Sequence, residues 1–124
     1  MFAGNAEEAM NFYVSLFEPS KIVTITRYGA SEGGAEGTVM QAIFSLQGQE
    51  FMCIDSPIEH DFTFTPAMSL YVACDSEEEI GRLFEQLSAG GKLLMPLAAY
   101  PFSQKFGWVQ DRFGVSWQLN LANQ

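Results

Sequence analysis

The stretch SEEEIGRLFEQL, residues 76–87, is the clearest guide to the architecture, because an earlier part of the chain repeats its pattern. Apolar residues three and four positions apart predict a helix with one buried face, and here they are Ile80, Leu83, Phe84 and Leu87. The stretch NAEEAMNFYVSLF, residues 5–17, has the same spacing. The sequence therefore predicts two similar amphipathic helices.

Each predicted helix begins with a capping box, in which a polar residue is followed three positions later by Glu. The pairs are Asn5 with Glu8 and Ser76 with Glu79, of which the Asn version is the looser match. Asn5 and Ser76 are 71 positions apart, and the strand that follows each helix begins at the same separation. Helix, connection and strand therefore repeat in register.

Runs of apolar and alternating residues predict one strand before the second helix, at 67–75, and three strands after each helix. The strands after the first helix are 21–29, 38–46 and 49–55, and those after the second are 92–97, 104–111 and 115–121. The repeat is a β-α-β-β-β unit written twice, which makes the fold class α+β. One domain, 1–124, is expected, with unit one at 1–55, a connection at 56–66 and unit two at 67–121. Because 71 residues before 67–75 lies upstream of Met1, the opening strand of unit one is expected to be truncated.

The strand GVSWQLNL, residues 114–121, shows the alternation most clearly. Its apolar residues share one face and predict a core beneath a helix: Val115, Trp117, Leu119 and Leu121. Ser116, Gln118 and Asn120 share the other face. A face turned to water usually carries charges, so these uncharged hydrogen-bonding groups indicate a partly enclosed surface.

The composition excludes several partners. A net charge of −9 argues against nucleic acid and against an anionic membrane surface, since both attract basic stripes. The sequence has neither an apolar run long enough to span a membrane nor a signal peptide, so a cytoplasmic location is expected. Cys53 and Cys74 stand apart in the sequence and are interpreted as buried small hydrophobes rather than as a disulfide or a catalytic thiol.

Four stretches resemble the PhnB-like branch of the vicinal oxygen chelate superfamily, which includes glyoxalase, bleomycin-resistance proteins and extradiol dioxygenases. They are GNAEEAMNFY, DSPIEHDFTFTPAMSLYV, GGKLLMPL and FGWVQDRFGVSWQLNL, and the resemblance spans nearly the whole chain. It implies that the units curl a mixed sheet into an incomplete barrel, with the helices outside and a ligand site on the concave face. The branch is often labelled demethylubiquinone methyltransferase. Methyltransferase chemistry is not expected, because no glycine-rich turn joins a strand to a helix.

The resemblance also implies where a metal would be held, on the last strand of each unit and on each first strand. Three of those places carry Gln118, Met52 and Ser69 in this chain, and the fourth lies in the truncated opening strand. A neutral amide, a thioether and a hydroxyl are poor ligands for Zn²⁺, Mn²⁺ or Fe²⁺, which prefer imidazole and carboxylate. No metal and no other cofactor are therefore expected.

Alternation along the strands that line this concave face predicts eight ligand-binding residues: Gln41, Glu50, Met52, Ser69, Tyr71, Trp108, Ser116 and Gln118. Glu50 is a candidate general base with a raised pKa, or else an ion-paired residue at a sheet edge. Trp108 or its neighbour Phe106 could form a stacking wall, or could simply pack. His60, the only histidine, is a candidate acid or base at the pocket mouth, or else a structural residue of the connection.

Three functions remain open from the sequence. The first is a metal-free protein that binds a small aromatic or cationic molecule, and the second is a lyase or isomerase that acts through Glu50 or His60. The third is a dimeric scaffold with a vestigial pocket. A homodimer is expected in each case, because a truncated opening strand leaves a sheet edge that proteins usually cover.

Overall fold

A computed structural model describes residues 1–30 and 33–123 of the chain. The chain forms two compact units, Met1–Asp61 and Phe62–Gln124, which divide within the expected connection. Each unit consists of one helix and one sheet. The α+β fold class is confirmed, with the strands in two sheets that do not close into a barrel.

Unit 1 contains the helix α1 (Ala6–Leu16) and the strands β1 (Ser20–Arg27), β2 (Val39–Leu46) and β3 (Gln49–Cys53). The strands form an antiparallel sheet in the order β1-β2-β3. Before α1, Phe2 forms an isolated parallel bridge with Asp55. This bridge stands at the place where the repeat predicts the opening strand.

Unit 2 contains β4 (Leu70–Cys74), α2 (Glu77–Ser88), β5 (Lys92–Tyr100), β6 (Ser103–Gln110) and β7 (Ser116–Leu121). The sheet order is β4-β7-β6-β5, in which β4 and β7 are parallel and the other neighbours are antiparallel. All seven predicted strands and both predicted helices are therefore present, with small differences at their ends.

Each helix buries its apolar face against its own sheet. The buried residues of α1 are Ala6, Ala9, Met10, Tyr13 and Leu16, and those of α2 are Ile80, Leu83 and Leu87. On the sheet beneath α2, Val109, Trp117 and Leu119 are at most 2% exposed. Gly107 lets the helix approach closely, because a Cβ atom there would overlap the ring of Phe84.

The two helix caps differ from each other, and one prediction was wrong. Glu79 N donates to Ser76 Oγ at 3.1 Å, and Glu79 Oε1 accepts from Asp75 N at 2.7 Å, so α2 has the expected reciprocal cap. Asn5 makes no side-chain capping bond to α1. Its place is taken by Asp55, whose Oδ1 accepts from Ala6 N at 2.9 Å. A carboxylate brought from the end of the sheet thus replaces the local amide cap.

The cysteines are confirmed as buried, free thiols. Burial raises the pKa of Cys53. Burial, with smaller effects from the carboxylates of Glu79 and Asp75, raises the pKa of Cys74 to about 12. Both side chains are therefore neutral at pH 7 and act as small hydrophobes. Among residues 1–30 and 33–123, no helix is long and apolar enough to cross a membrane.

Candidate functional site

Four of the predicted ligand-binding residues meet on one face of the unit 2 sheet. Trp108 Nε1 donates to Ser116 Oγ at 2.8 Å, and Ser116 Oγ lies 2.6 Å from Ser69 Oγ. Gln118 Nε2 donates to Ser69 Oγ at 3.4 Å. An indole, two hydroxyl groups and an amide therefore form one connected hydrogen-bond network.

Strand register explains why these side chains meet. Residues directly opposite each other on neighbouring strands project from the same face of a sheet. Tyr71 of β4 and Trp108 of β6 both stand opposite Gln118, and Gln110 stands opposite Ser116. We call this surface the polar face of unit 2, defined by Ser69, Tyr71, Trp108, Gln110, Ser116 and Gln118.

Exposure differs among these side chains. Ser116 is only 2% exposed and lies beneath the surface, whereas Tyr71 is 59% exposed. Trp108 and Gln118 are half-buried. Ser116 therefore supports the network from below, and the other residues remain available for contact.

An aromatic cluster, which the sequence reasoning did not identify, lies at the β5–β6 turn of the same unit. Phe102 stacks on Tyr100 with ring centroids 5.5 Å apart, and its centroid lies 5.1 Å from that of Phe106. Phe106 is 7% exposed, so it packs within this cluster, while Trp108 is the more accessible of the two predicted wall residues. The aromatic run YPF before β6 is the signal that could have indicated this cluster.

Unit 1 places its predicted site residues on the exposed face of its sheet. Gln41 Nε2 lies 3.6 Å from Met52 Sδ, and Met52 is 61% exposed. Glu50 stands opposite Ser45 and is exposed. In the part of the chain that the structure describes, Glu50 makes no ion pair, so the expected ion-paired edge residue is not found. The described residues of unit 1 leave this carboxylate exposed to water, whereas a buried general base would require shielding.

His60 lies in the connection that follows β3 and is exposed. Its Nε2 atom is 2.9 Å from Ser56 Oγ, which also donates to the carbonyl oxygen of Ile58 at 3.1 Å. These contacts tie the ring into the local turn and favour the structural interpretation of His60 over the catalytic one.

Two buried carboxylates, Asp55 and Asp111, hold backbone turns. Asp55 Oδ1 accepts from Gly4 N at 2.8 Å as well as from Ala6, and its Oδ2 accepts from Val39 N at 2.9 Å. Asp55 therefore has a structural role, since it caps α1 from beyond the end of β3. Asp55 also lines a cavity of about 200 Å³ in unit 1, together with residues that include Gly4, Thr38 and Ser56. The sequence does not predict this cavity.

Asp111 holds a backbone turn in unit 2. Its Oδ1 accepts from Phe113 N at 2.9 Å and Val115 N at 3.0 Å, and its Oδ2 accepts from Trp117 Nε1 at 2.9 Å. An Asp that begins a short turn ending in Gly114 is the local signal that could have identified it. Both carboxylates have their hydrogen bonds committed to the fold, so neither is a candidate catalyst.

At the places expected to hold a metal, the described residues do not fit a divalent ion. Gln118 and Ser69 offer neutral oxygens in unit 2, and Met52 offers a thioether in unit 1. In residues 1–30 and 33–123, no group of three or more His, Cys, Asp or Glu side chains is placed to hold an ion. The donor set therefore lacks the imidazole and carboxylate groups that Zn²⁺ and Mn²⁺ prefer.

Comparison with known proteins identifies the family. The family model described as 3-demethylubiquinone-9 3-methyltransferase matches residues 1–120. The chain belongs to this family. Within the 3-demethylubiquinone-9 3-methyltransferase family, a solved PhnB protein from Bacillus cereus is 64% identical, with a TM-score of 0.97 over 98% of this chain and 95% of that one. Protein YjdN of Escherichia coli is 24% identical over an alignment 137 residues long, which covers 99% of this chain and 92% of the relative.

More distant structures share the fold alone. The fosfomycin resistance protein FosX of Listeria monocytogenes, solved with Mn(II) and a sulfate ion, is 11% identical with a TM-score of 0.66 over 99% of this chain and 86% of that one. The resemblance to the PhnB-like branch is confirmed by the PhnB protein from Bacillus cereus and by the family model. Despite the name of the family, the described strands do not form the doubly wound sheet in which most methyltransferases hold their cofactor. Among the described strands, only β4 and β7 pair in parallel. A doubly wound sheet is parallel throughout most of its width.

Proposed function

We propose that this chain is a small-molecule-binding protein whose ligand rests on the polar face of unit 2. The connected network of Trp108, Ser116, Ser69 and Gln118 carries the proposal. Binding sites combine apolar or aromatic walls with a few fixed polar groups that orient the ligand. This face supplies both, because rings of Tyr71 and Trp108 flank a neutral amide that is held by a hydroxyl group.

The network gives the face a fixed geometry before any ligand arrives. Ser116 is enclosed and is held by the indole of Trp108, so it in turn fixes the hydroxyl of Ser69. A polar group that is already oriented loses little freedom when a ligand binds, and this improves affinity. A solvent-exposed strand face without function would not need such support from below.

Metal-free action is part of the proposal. The neutral donor set described above favours binding by hydrogen bonds and ring contacts over coordination. Elemental analysis of protein purified without a histidine tag or chelator is expected to find well under one equivalent of Zn, Mn, Fe or Ni per chain. Near-stoichiometric metal that is lost in a Gln118→Ala variant would contradict this part of the proposal.

A screen of aromatic fragments tests the proposed function. A ligand that binds only the folded chain raises the melting midpoint by mass action. Hits are then added to ¹⁵N-labelled protein, and we expect the side-chain amide signals of Gln118 and the indole signal of Trp108 to shift. The Gln118→Ala variant should lose this response. A matched Gln86→Ala variant should retain it, because Gln86 is exposed on α2.

Two outcomes would contradict the proposed function. One is a screen in which no fragment moves either the melting midpoint or the Gln118 signals. The other is a set of hits that stabilise Gln118→Ala as strongly as the unchanged protein, since binding would then lie elsewhere.

The proposal includes a homodimer and a cytoplasmic location. The β3 strand is one of the two outer strands of the unit 1 sheet, and the isolated Phe2–Asp55 bridge lies only beyond its end. An edge of this kind is commonly covered by another chain. Two unpaired, buried thiols favour a reducing compartment.

A further inference from the structure

We infer that the polar face of unit 2 selects an uncharged, planar ligand that carries a hydrogen-bond acceptor and a donor side by side, as an aromatic carboxamide or a lactam does. This inference rests on the proposed function and specifies the class of ligand for the same site. It follows from the direction of the hydrogen bonds, from the position of the charges and from the rings on either side of Gln118.

The direction of the network is set by the indole. Trp108 Nε1 can only donate, so Ser116 Oγ accepts at this contact. The hydroxyl proton of Ser116 must then go elsewhere, and water cannot reach it because Ser116 is 2% exposed. Ser69 Oγ, at 2.6 Å, is the acceptor within reach. Ser116 therefore donates to Ser69.

One donor and one acceptor at the end of the network have no partner among the residues that the structure describes. Ser69 Oγ accepts from Ser116 and, at 3.4 Å, from Gln118 Nε2, which occupies both of its lone pairs. Its own hydroxyl proton remains available. Since Gln118 directs Nε2 towards Ser69, its Oε1 remains available as an acceptor. The adjacent pair calls for a ligand whose acceptor meets Ser69 and whose donor meets Gln118, and an amide group presents that combination.

The carboxylates of unit 2 lie away from this face. Five of its six carboxylates are on α2 or directly before it: Asp75, Glu77, Glu78, Glu79 and Glu85. The sixth, Asp111, has its oxygens occupied by Phe113 N, Val115 N and Trp117 Nε1. A cationic ligand would therefore find no counter-charge on the polar face.

An anionic ligand is disfavoured as well. The chain has a net charge of −9. The nearest basic residue by register is Lys92 of β5, which stands opposite Gln110 of β6 and therefore shares this face. β5 lies two strand spacings from β7 and three from β4, which places Lys92 about 10 Å across the sheet from the strand of Gln118 and about 14 Å from the strand beside Ser69. Because Lys92 is exposed, its charge is largely screened at these distances.

Rings on both sides of the amide favour a flat ligand. Tyr71 on β4 and Trp108 on β6 are both in register with Gln118, so they flank it on neighbouring strands. Aromatic side chains contact planar groups well by offset stacking or edge-to-face packing. A ring attached to an amide would place its polar end on Ser69 and Gln118 and its flat part between Tyr71 and Trp108.

Three isosteric probes test the inference: benzamide, benzoate and benzamidinium. At pH 7 they are neutral, anionic and cationic, respectively. Benzoate lacks a donor for Gln118 Oε1, and benzamidinium lacks an acceptor for the Ser69 hydroxyl. Dissociation constants come from titrations that follow the ¹⁵N signals of Gln118 and Trp108. Benzamide is expected to bind roughly five- to tenfold more tightly than either charged probe, which is the effect of one unmade hydrogen bond.

A change of one functional group should reverse the preference. In Gln118→Glu the amide becomes a carboxylate of the same shape, so benzamidinium is expected to bind more tightly than benzamide. The matched control is Gln86→Glu, which adds the same charge on the exposed side of α2 and should keep the preference for benzamide. Ser69→Ala removes the donor and should weaken benzamide by a similar factor in the otherwise unchanged protein.

The comparison of probes on the unchanged protein is decisive, since it needs no variant to fold. A charged probe that binds as tightly as benzamide, with shifts at Gln118, would overturn the inference and leave the proposed binding function standing. Failure of all three probes to move these signals would also overturn it. Failure of the wider fragment screen as well would remove the proposed function too.

Discussion

Replacing Asp55 by Asn should destabilise unit 1 more than any surface change of the same kind. The carboxylate accepts three backbone N–H bonds, two at Oδ1 and one at Oδ2, and is 3% exposed. An amide has one oxygen, so its NH₂ group must face at least one of these donors. With Oδ1 kept towards Gly4 and Ala6, the buried N–H of Val39 loses its acceptor.

The size of the effect follows from these bonds. An unsatisfied buried N–H costs about 1–3 kcal/mol. The two remaining bonds lose their charge assistance, and the start of α1 loses a negative charge worth about 0.3–1 kcal/mol. We therefore expect a loss of about 3 kcal/mol, which corresponds to a fall in melting temperature of roughly 10 °C for a chain of this length.

Urea denaturation and calorimetry measure the loss, and amide hydrogen exchange locates it. Ala6 and Val39 should lose protection first, because their N–H groups bond directly to the carboxylate. The matched control is Asp61→Asn, an exposed change in the same unit that should stay within about 0.5 kcal/mol. Equal stability of the two variants would refute the assignment of Asp55 as the cap of α1.

Three further predictions concern other parts of the chain. Gly107→Ala should destabilise unit 2 by about 1–3 kcal/mol in denaturation experiments, since the new methyl group overlaps the ring of Phe84; no change would mean that α2 does not pack there. Because folding raises the pKa of Cys74, the neutral thiol stabilises the folded state, and this contribution is fully present at pH values below the pKa of the unfolded thiol. That contribution should be lost as the pH rises from about 9 towards 12, so the gap in unfolding free energy between the protein and Cys74→Ala should shift over this range, and a constant gap would contradict the assignment. Sedimentation at micromolar concentration should show a dimer, and a single species of 13.8 kDa would exclude it.

Local patterns made most of the fold predictable. Alternation with period two identified all seven strands, and the three-and-four spacing identified both helices, because each pattern reports which face of an element is buried. The cap of α2 was also predictable, since Ser76 and Glu79 lie three residues apart. The cap of α1 was not, because Asp55 lies 49 residues beyond Ala6 and only the folded sheet brings them together.

The candidate site was predictable in part for the same reason. Alternation placed Ser69, Trp108, Ser116 and Gln118 on one face, and the structure joins them by hydrogen bonds. The direction of those bonds was beyond the sequence, since it depends on how deeply Ser116 is enclosed. The turn-forming role of Asp111 was overlooked, although its position before a tight turn was visible.

The order of strands in unit 2 has a consequence for how the chain emerges from the ribosome. β7 is made after every other element of the unit, yet it lies inside the sheet between β4 and β6. Leu70 pairs with Trp117, which is synthesised 47 residues later, so β4 gains its neighbour only when β7 has been made. Until then β4 can pack only against α2, while β5 and β6 can already form their hairpin. Assembly of this unit should therefore be completed in one late step, and a nascent chain stalled before β7 should leave β4 open to proteases and chaperones.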